Sequence, residues 1–162
     1  MNVALGCDHR GFDTKKQLIE QLRRAGHSAE DFGTFDSNSC DYPDFAVPAA
    51  LAVVEGKVQS AILLDGSGIG MSIVANKIPG IRAAICHDEL TAEISRRYND
   101  ANVLCLAVDL LGGELIRRIV GVWLEVPFEN GRHSRRINKI NELERRLFSD
   151  VQQALNNLKS AP

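Results

Sequence analysis

Three short clusters in this 162-residue chain combine residue types able to do chemistry. The first is Asp8-His9-Arg10-Gly11, where a carboxylate, an imidazole and a guanidinium follow the apolar run Val3-Ala4-Leu5-Gly6-Cys7. Such a set can contact a hydroxylated substrate, and Asp8 fits a helix N-cap equally well. The second is Asp65-Gly66-Ser67-Gly68-Ile69-Gly70, which follows Ala61-Ile62-Leu63-Leu64. Glycines at alternate positions let the backbone turn sharply and aim several N–H groups at one spot, at the positive end of a helix dipole. That suits an anion or a developing oxyanion, with an ordinary tight strand-to-helix turn as the alternative. It lacks the Gly-Lys-Ser/Thr of a nucleotide P-loop and the spacing of a dinucleotide fingerprint. The third cluster places Arg132, Arg135 and Arg136 around His133 and Ser134. On a helix starting near Arg132, Arg132 and Arg136 are four apart and share a face, so two guanidinium forks can hold one phosphate. A solvated basic patch is the plainer reading of the same residues.

Composition narrows the partners. Nineteen Lys and Arg against 21 Asp and Glu give a net charge of −2, so nothing global draws the chain to nucleic acid or to an anionic membrane. A tight basic cluster without interleaved aromatics then favours a small phosphorylated ligand over a nucleic-acid strand. No stretch approaches the roughly 18 apolar residues that span a bilayer, and Met1 leads straight into a strand-like segment, so a cytoplasmic protein is expected. Cys7, Cys40, Cys86 and Cys105 form no Cys-x-x-Cys pair, and His9, His27, His87 and His133 are scattered, so neither a disulfide framework nor a structural metal is expected. Cys86-His87-Asp88 sets a thiol, an imidazole and a carboxylate side by side. Adjacent residues point in different directions, and a core cysteine followed by a helix cap explains the run better.

The elements that must position these clusters follow from apolar periodicity. Five short runs, Val3 to Cys7, Ser28 to Phe32, Ala61 to Leu64, Ile81 to Cys86 and Val103 to Val108, recur between helical patterns. This alternation predicts βαβ units and a parallel sheet. Four runs are near-continuously apolar, as strands covered on both faces should be, and the more polar second run is expected at an edge. Helices are predicted over Phe12 to Ala25, Pro43 to Glu55, Met71 to Lys77, Leu90 to Tyr98 and Leu110 to Leu124. From about Arg132 to Leu158, Ile137, Ile140, Leu143, Leu147, Val151, Leu155 and Leu158 recur at threes and fours and predict a long amphipathic terminal helix. Its stripe must pack on its own domain or on a second copy, and a dimer is the simplest expectation. With no repeat, linker or low-complexity tract, residues 1–162 read as one domain, frayed only at Ser160-Ala161-Pro162. In an open parallel sheet ligands bind beyond the carboxyl ends of the strands, where the first two clusters fall.

Several motifs in order carry a resemblance: Gly6-Cys7-Asp8-His9-Arg10-Gly11, Asp41-Tyr42-Pro43-Asp44-Phe45-Ala46, Gly66-Ser67-Gly68-Ile69-Gly70-Met71-Ser72-Ile73 and Ala75-Asn76-Lys77-Ile78-Pro79-Gly80-Ile81-Arg82. Ser95-Arg96 with Asn99-Asp100-Ala101-Asn102, and Gly131-Arg132-His133 with Arg136, complete the set. Over roughly residues 2 to 148 the chain resembles the type B ribose-5-phosphate isomerases, a superfamily that includes galactose-6-phosphate and allose-6-phosphate isomerases. The resemblance implies a three-layer α/β/α fold with a five-stranded parallel, Rossmann-like sheet. It implies a homodimer, or a dimer of dimers, whose clefts take residues from both chains, and no metal or organic cofactor. The implied reaction is aldose-ketose isomerisation of a phosphorylated sugar through a cis-enediolate.

By position, Arg132 and Arg136 are implied to bind phosphate, and Asp8, His9 and Tyr42 to line the sugar. Ser67 and the amides from Gly66 through Gly68 to Gly70 are implied to stabilise the enediolate oxygen, and Asn99 to enter from the partner chain. Four positions depart from the family pattern. Asp65 stands where many members carry a cysteine base, with Met71 where another branch carries a glutamate base. Tyr98 stands where a histidine opens the sugar ring, and Asp109 where some members carry a phosphate-binding arginine. A carboxylate can catalyse enolisation, so Asp65 is expected as the base and Tyr98 as the proton donor to the ring oxygen. A sugar-phosphate binder without catalysis, or a subunit completed by a paralogue, are the alternatives.

Overall fold

Each apolar run becomes a strand because its alternate residues find helices waiting on opposite faces. The computed structural model describes residues 1–159, with side-chain surroundings through residue 151. Two compact units result, Met1–Phe128 and Glu129–Pro162. In the first, strands β1 (Asn2–Cys7), β2 (Ser28–Asp31), β3 (Ser60–Asp65), β4 (Ala83–Ile85) and β5 (Val103–Ala107) alternate with helices α1 (Phe12–Arg24), α2 (Pro43–Val54), α3 (Ile69–Ala75), α4 (Glu89–Asn99) and α5 (Gly113–Glu125). The sheet is wholly parallel, in the order β2-β1-β3-β5-β4.

The period-two alternation of the strands divides the core. Val3, Leu5 and Cys7 of β1 pack with Leu18 and Leu22 of α1, with Leu104 and Leu106 of β5, and with Ile116, Val120 and Trp123 of α5. Ala4 of β1, Leu63 of β3 and Cys105 of β5 face Ala46, Ala49 and Ala50 of α2 and Met71 and Ala75 of α3. The architecture is therefore three layers, with α1, α4 and α5 on one face and α2 and α3 on the other. Fully burying one such Leu or Val contributes about 1.5 to 3 kcal/mol. Across the first face, Trp123 is fully buried, donates through Nε1 to Ser95 Oγ at 3.2 Å and carries the Arg96 guanidinium 5.0 Å from its ring centre. These contacts seat the C-terminal half of α4 on α5.

The polar second run lies at an edge as β2, as expected. The run Ile81 to Cys86 narrows to the three residues of β4 at the other edge, where Ala83, Ala84 and Ile85 are only partly buried. Strand β4 pairs with β5 alone, and it is covered on both faces, though incompletely, with Ala84 against one core and Ala83 and Ile85 against the other. Helix α5 starts at Gly113, and Leu110 before it is left exposed. Asp88 caps α4, accepting from Thr91 N at 2.7 Å, while Cys86 is buried, which is the cap-and-core reading of that run.

The second unit is helix α6 (Arg132–Lys159). Ile140, Leu143, Leu147 and Val151 of its expected stripe are exposed, whereas Ile137 is buried. Leu155, Leu158 and the expected fraying at residues 160–162 lie outside the residues whose side chains are described. Among the described residues, no helix is long and apolar enough to cross a membrane.

Candidate active site

Strand β1 has β2 on one side and β3 on the other, so the chain order reverses between β1 and β3. At such a switch point the loops diverge and leave a crevice. A cavity of about 550 Å³ opens there. Asp8, His9 and Arg10 reach it from the end of β1, Asp65, Gly66, Ser67 and Gly70 from the turn after β3, Asp109 and Leu110 from the turn after β5, and Tyr42 from the start of α2. Seven of the residues expected from sequence thus converge on one space.

The turn after β3 is ordered by Asp65. Its Oδ1 accepts from Ser67 N at 2.8 Å and from Gly68 N, and its Oδ2 accepts from Met71 N at 3.0 Å. Ser67 Oγ lies 3.5 Å from Oδ1 and itself accepts from Ile69 N at 3.2 Å. Gly68 makes this possible, since its φ of +76° is left-handed and a Cβ would meet Ile85 Cγ2 at 3.2 Å. Asp65 is 4 % exposed and both its oxygens are engaged. The expected base Asp65 thus lies on the cavity wall with Oδ1 accepting two amides and Oδ2 one. Asp65 is the anion that fills the cradle, leaving Gly66 and Gly70, of the amides expected there, without a protein acceptor among the described residues. Gly70 packs beneath Tyr42, whose Cζ would stand 2.8 Å from a Cβ there.

Asp8 is held differently. Its Oδ1 accepts from Arg10 N at 2.9 Å and Gly11 N at 3.4 Å, capping a short 3₁₀ turn, while Oδ2 accepts nothing among the described residues. It is therefore both cap and cavity wall, the two readings left open by sequence. Burial raises its carboxyl above the ordinary value, partly opposed by the Arg10 and Gly11 amides and by His9, and Asp65 adds to the rise. His9 Nδ1 accepts from Cys40 N at 3.3 Å, which in the neutral ring assigns the proton to Nε2. This contact, between residues 31 apart, has no signature in the sequence.

Arg10 and Asp109 meet above the glycine turn. Nε lies 3.2 Å from Oδ1 and Nη2 lies 2.6 Å from Oδ2, a two-pronged ion pair, and a Cβ on Gly66 would fall 2.6 Å from Asp109 Oδ2. Opposite charges just past the ends of β1 and β5 were the available signal, with β3 lying between. Tyr98 and Asn99, in the last turn of α4, are not among the residues lining this cavity. Arg82 holds that turn, donating to the carbonyls of Asn99 and Asp100 and to Asp100 Oδ2. In the second unit, Arg132 Nε and Arg136 Nη1 each lie 3.3 Å from a ring nitrogen of the buried His133. Both guanidinium groups thus flank one imidazole on the first turns of α6.

The thiols offer no substitute base in the core. Cys7 beside Asp8 is pushed up to about 12 by burial, and burial likewise raises Cys105 well above the ordinary thiol value. Among the described residues, no group of three or more His, Cys, Asp or Glu is arranged to hold a metal.

A family profile described as Ribose/Galactose Isomerase matches residues 3–140. The chain is 43% identical over 144 residues to ribose-5-phosphate isomerase B of Escherichia coli (strain K12), covering 89% of this chain and 97% of that one. It is 40% identical over 146 residues to D-erythrulose-4-phosphate isomerase of Pectobacterium atrosepticum, covering 89% and 95%. Ribose-5-phosphate isomerase B of Clostridium thermocellum superposes with a TM-score of 0.89 at 42% identity, over 91% of this chain and 99% of that one. The Mycoplasma genitalium ribose-5-phosphate isomerase B with bound ribulose 5-phosphate superposes at 0.84 with 38% identity, over 89% and 96%. By the profile match over residues 3–140 and by these identities, the chain belongs to the ribose/galactose isomerase family.

Proposed function

We propose that this chain, a sugar-phosphate isomerase by family, interconverts an aldose phosphate and a ketose phosphate of the ribose 5-phosphate and ribulose 5-phosphate type through a cis-enediolate. The observation that carries the reading is the cavity at the switch point, where carboxylate, imidazole, phenol, hydroxyl and backbone donors share one space. Aldose-ketose chemistry needs hydroxyl-binding groups, a base and donors for the enediolate oxygen. In this reading Asp8, His9 and Tyr42 contact the sugar, while Ser67 and the amides of Gly66 and Gly70 face the developing oxygen charge. One well-aimed donor of that kind contributes about 2.7 to 4 kcal/mol to the barrier. Asp65 holds the turn that aims them.

The cavity walls carry Asp8, Asp65 and Asp109 against Arg10 alone, leaving His9 aside, so a phosphate dianion needs further cations. Arg132 and Arg136 are the proposed source, with Asn99 and Tyr98 entering the cleft of a second copy and Tyr98 donating a proton to the ring oxygen. The exposed apolar residues Ile69, Ile73, Leu90, Ile94 and Leu110 support a homodimer. A second reading, a sugar-phosphate binder without catalysis, is favoured by the locked Asp65 carboxylate.

The deciding experiment incubates the purified protein with ribose 5-phosphate, erythrose 4-phosphate and six-carbon aldose phosphates and follows ketose formation by NMR. Conversion of any of them supports the isomerase. Binding by calorimetry with no conversion overturns it in favour of the binder.

A further inference from the structure

With both oxygens of the carboxylate after β3 accepting amides, the other carboxylates on the cavity wall are to be compared with it as proton-transfer groups. A base for a carbon acid needs a free oxygen or nitrogen facing the substrate space, shelter from water and a fixed position. Of the carboxylates lining the cavity, Asp65 has both oxygens bound and Asp109 has both oxygens on Arg10. Asp8 has one oxygen pinned by two amides and the other unengaged, and it is 7 % exposed. The pinned oxygen fixes the carboxylate plane at the end of a central strand, and the free one supplies the lone pair. We propose that Asp8 is the general base of the isomerisation, taking through Oδ2 the proton that moves between the first two carbons of the sugar.

The proposal rests on the isomerase reading above. From the aldose, the C2–H bond breaks toward Asp8, and its electron pair becomes the C1–C2 double bond. The carbonyl pair moves onto O1, giving the enediolate. The hydroxyl proton passes from O2 to O1, the C2 carbonyl forms, and Asp8 returns its proton to C1, so nothing is oxidised or reduced overall beyond the sugar itself. The groups facing Asp8 set its working range: Cys7 before it on β1, His9 and Arg10 after it, and Asp65 across the crevice on the end of β3. Burial raises its carboxyl, which strengthens it as a base. Asp8 must be ionised to act, so the rate climbs with pH on an acid limb that lies above the ordinary carboxylate value.

The test uses ribulose 5-phosphate, which is open-chain because its O5 is esterified, so ring opening cannot limit the result. Wash-in of deuterium at C1 is followed by NMR in heavy water for wild type, Asp8→Asn and Asp65→Asn, with ketose-phosphate affinity by calorimetry and urea melts to verify folding. Asparagine retains an acceptor for the Arg10 and Gly11 amides, so the cap survives. The expected result is a loss of about a thousandfold in exchange for Asp8→Asn, in line with the 10² to 10⁴ that a positioned base contributes, with affinity kept within about fivefold and the acid limb gone. Asp65→Asn loosens the turn that aims the oxyanion donors, so it is expected to slow exchange less than Asp8→Asn does and, unlike it, to keep the acid limb, at temperatures where it is folded. Exchange by Asp8→Asn within about tenfold of wild type overturns the base assignment and leaves the isomerase reading standing. Binding without exchange by the wild type overturns both.

Discussion

Replacing Asp65 by asparagine separates a structural carboxylate from a chemical one. In Asp65→Asn the carbonyl oxygen of the new side chain can still accept from the Ser67 and Gly68 amides, but its NH₂ group then faces the Met71 amide that Oδ2 holds at 3.0 Å. Two donors would meet with no acceptor between them, beside a fully buried Met71. Leaving one buried donor unsatisfied costs about 1 to 3 kcal/mol, and the two remaining bonds lose the strengthening that an ionised acceptor gives. For a chain of this size each kcal/mol lowers Tm by about 2 to 4 °C, so a fall of about 2 to 12 °C is expected. Asp65→Ala strands the buried Gly68 and Met71 amides together and should cost about 2 to 6 kcal/mol. Urea denaturation followed by near-ultraviolet circular dichroism, with thermal melts as a second probe, measures both. If Asp65→Asn melts within about 1 °C of wild type while its isomerase rate collapses, the turn does not depend on Asp65 and the argument from its amide bonds is refuted.

Gly68→Ala should destabilise by about 1 to 2 kcal/mol, because alanine must hold φ near +76° and its Cβ would press on Ile85; a drop no larger than that of an exposed Gly→Ala control would contradict the strain. Asp8→Asn should be at least as stable as wild type at pH 7. The native carboxyl is raised by burial, so the folded state binds the proton more tightly, and wild-type stability falls as pH rises from the unfolded value through the native one. The neutral side chain escapes that loss, and urea midpoints across pH 4 to 8 that run parallel for the two proteins would sink the linkage. A disulfide reagent at pH 8 should label Cys40 fast and leave Cys7, Cys86 and Cys105 protected until unfolding, since these three are buried and held as thiols. Sedimentation should give a dimer, with Ile69→Glu and Ile73→Glu together shifting it to monomer, because both side chains are exposed apolar surface on α3; a wild-type monomer at micromolar concentration would refute the assembly.

The distribution of apolar residues along the chain was enough to determine the alternating strands and helices, the edge position of β2 and the cap at Asp88. Each of these depends on a neighbour within a few positions or on a face that must be covered. Parallel strands all end on the same side, so residues far apart in sequence but just past a strand end, such as Asp8 and Ser67, were bound to share a crevice. Which way a side chain points within that crevice is another matter. Asp65 turns onto the Ser67, Gly68 and Met71 amides because Gly68 adopts a left-handed φ and α3 begins where it does, and residue type alone carries no record of those dihedral angles. The free oxygen of Asp8, the pairing of Arg10 with a carboxylate 99 positions away and the hold of Cys40 on His9 likewise arise from packing between separate segments. The residue types that meet at the site were therefore written in the sequence, but which carboxylate oxygens the backbone amides engage was decided by the fold.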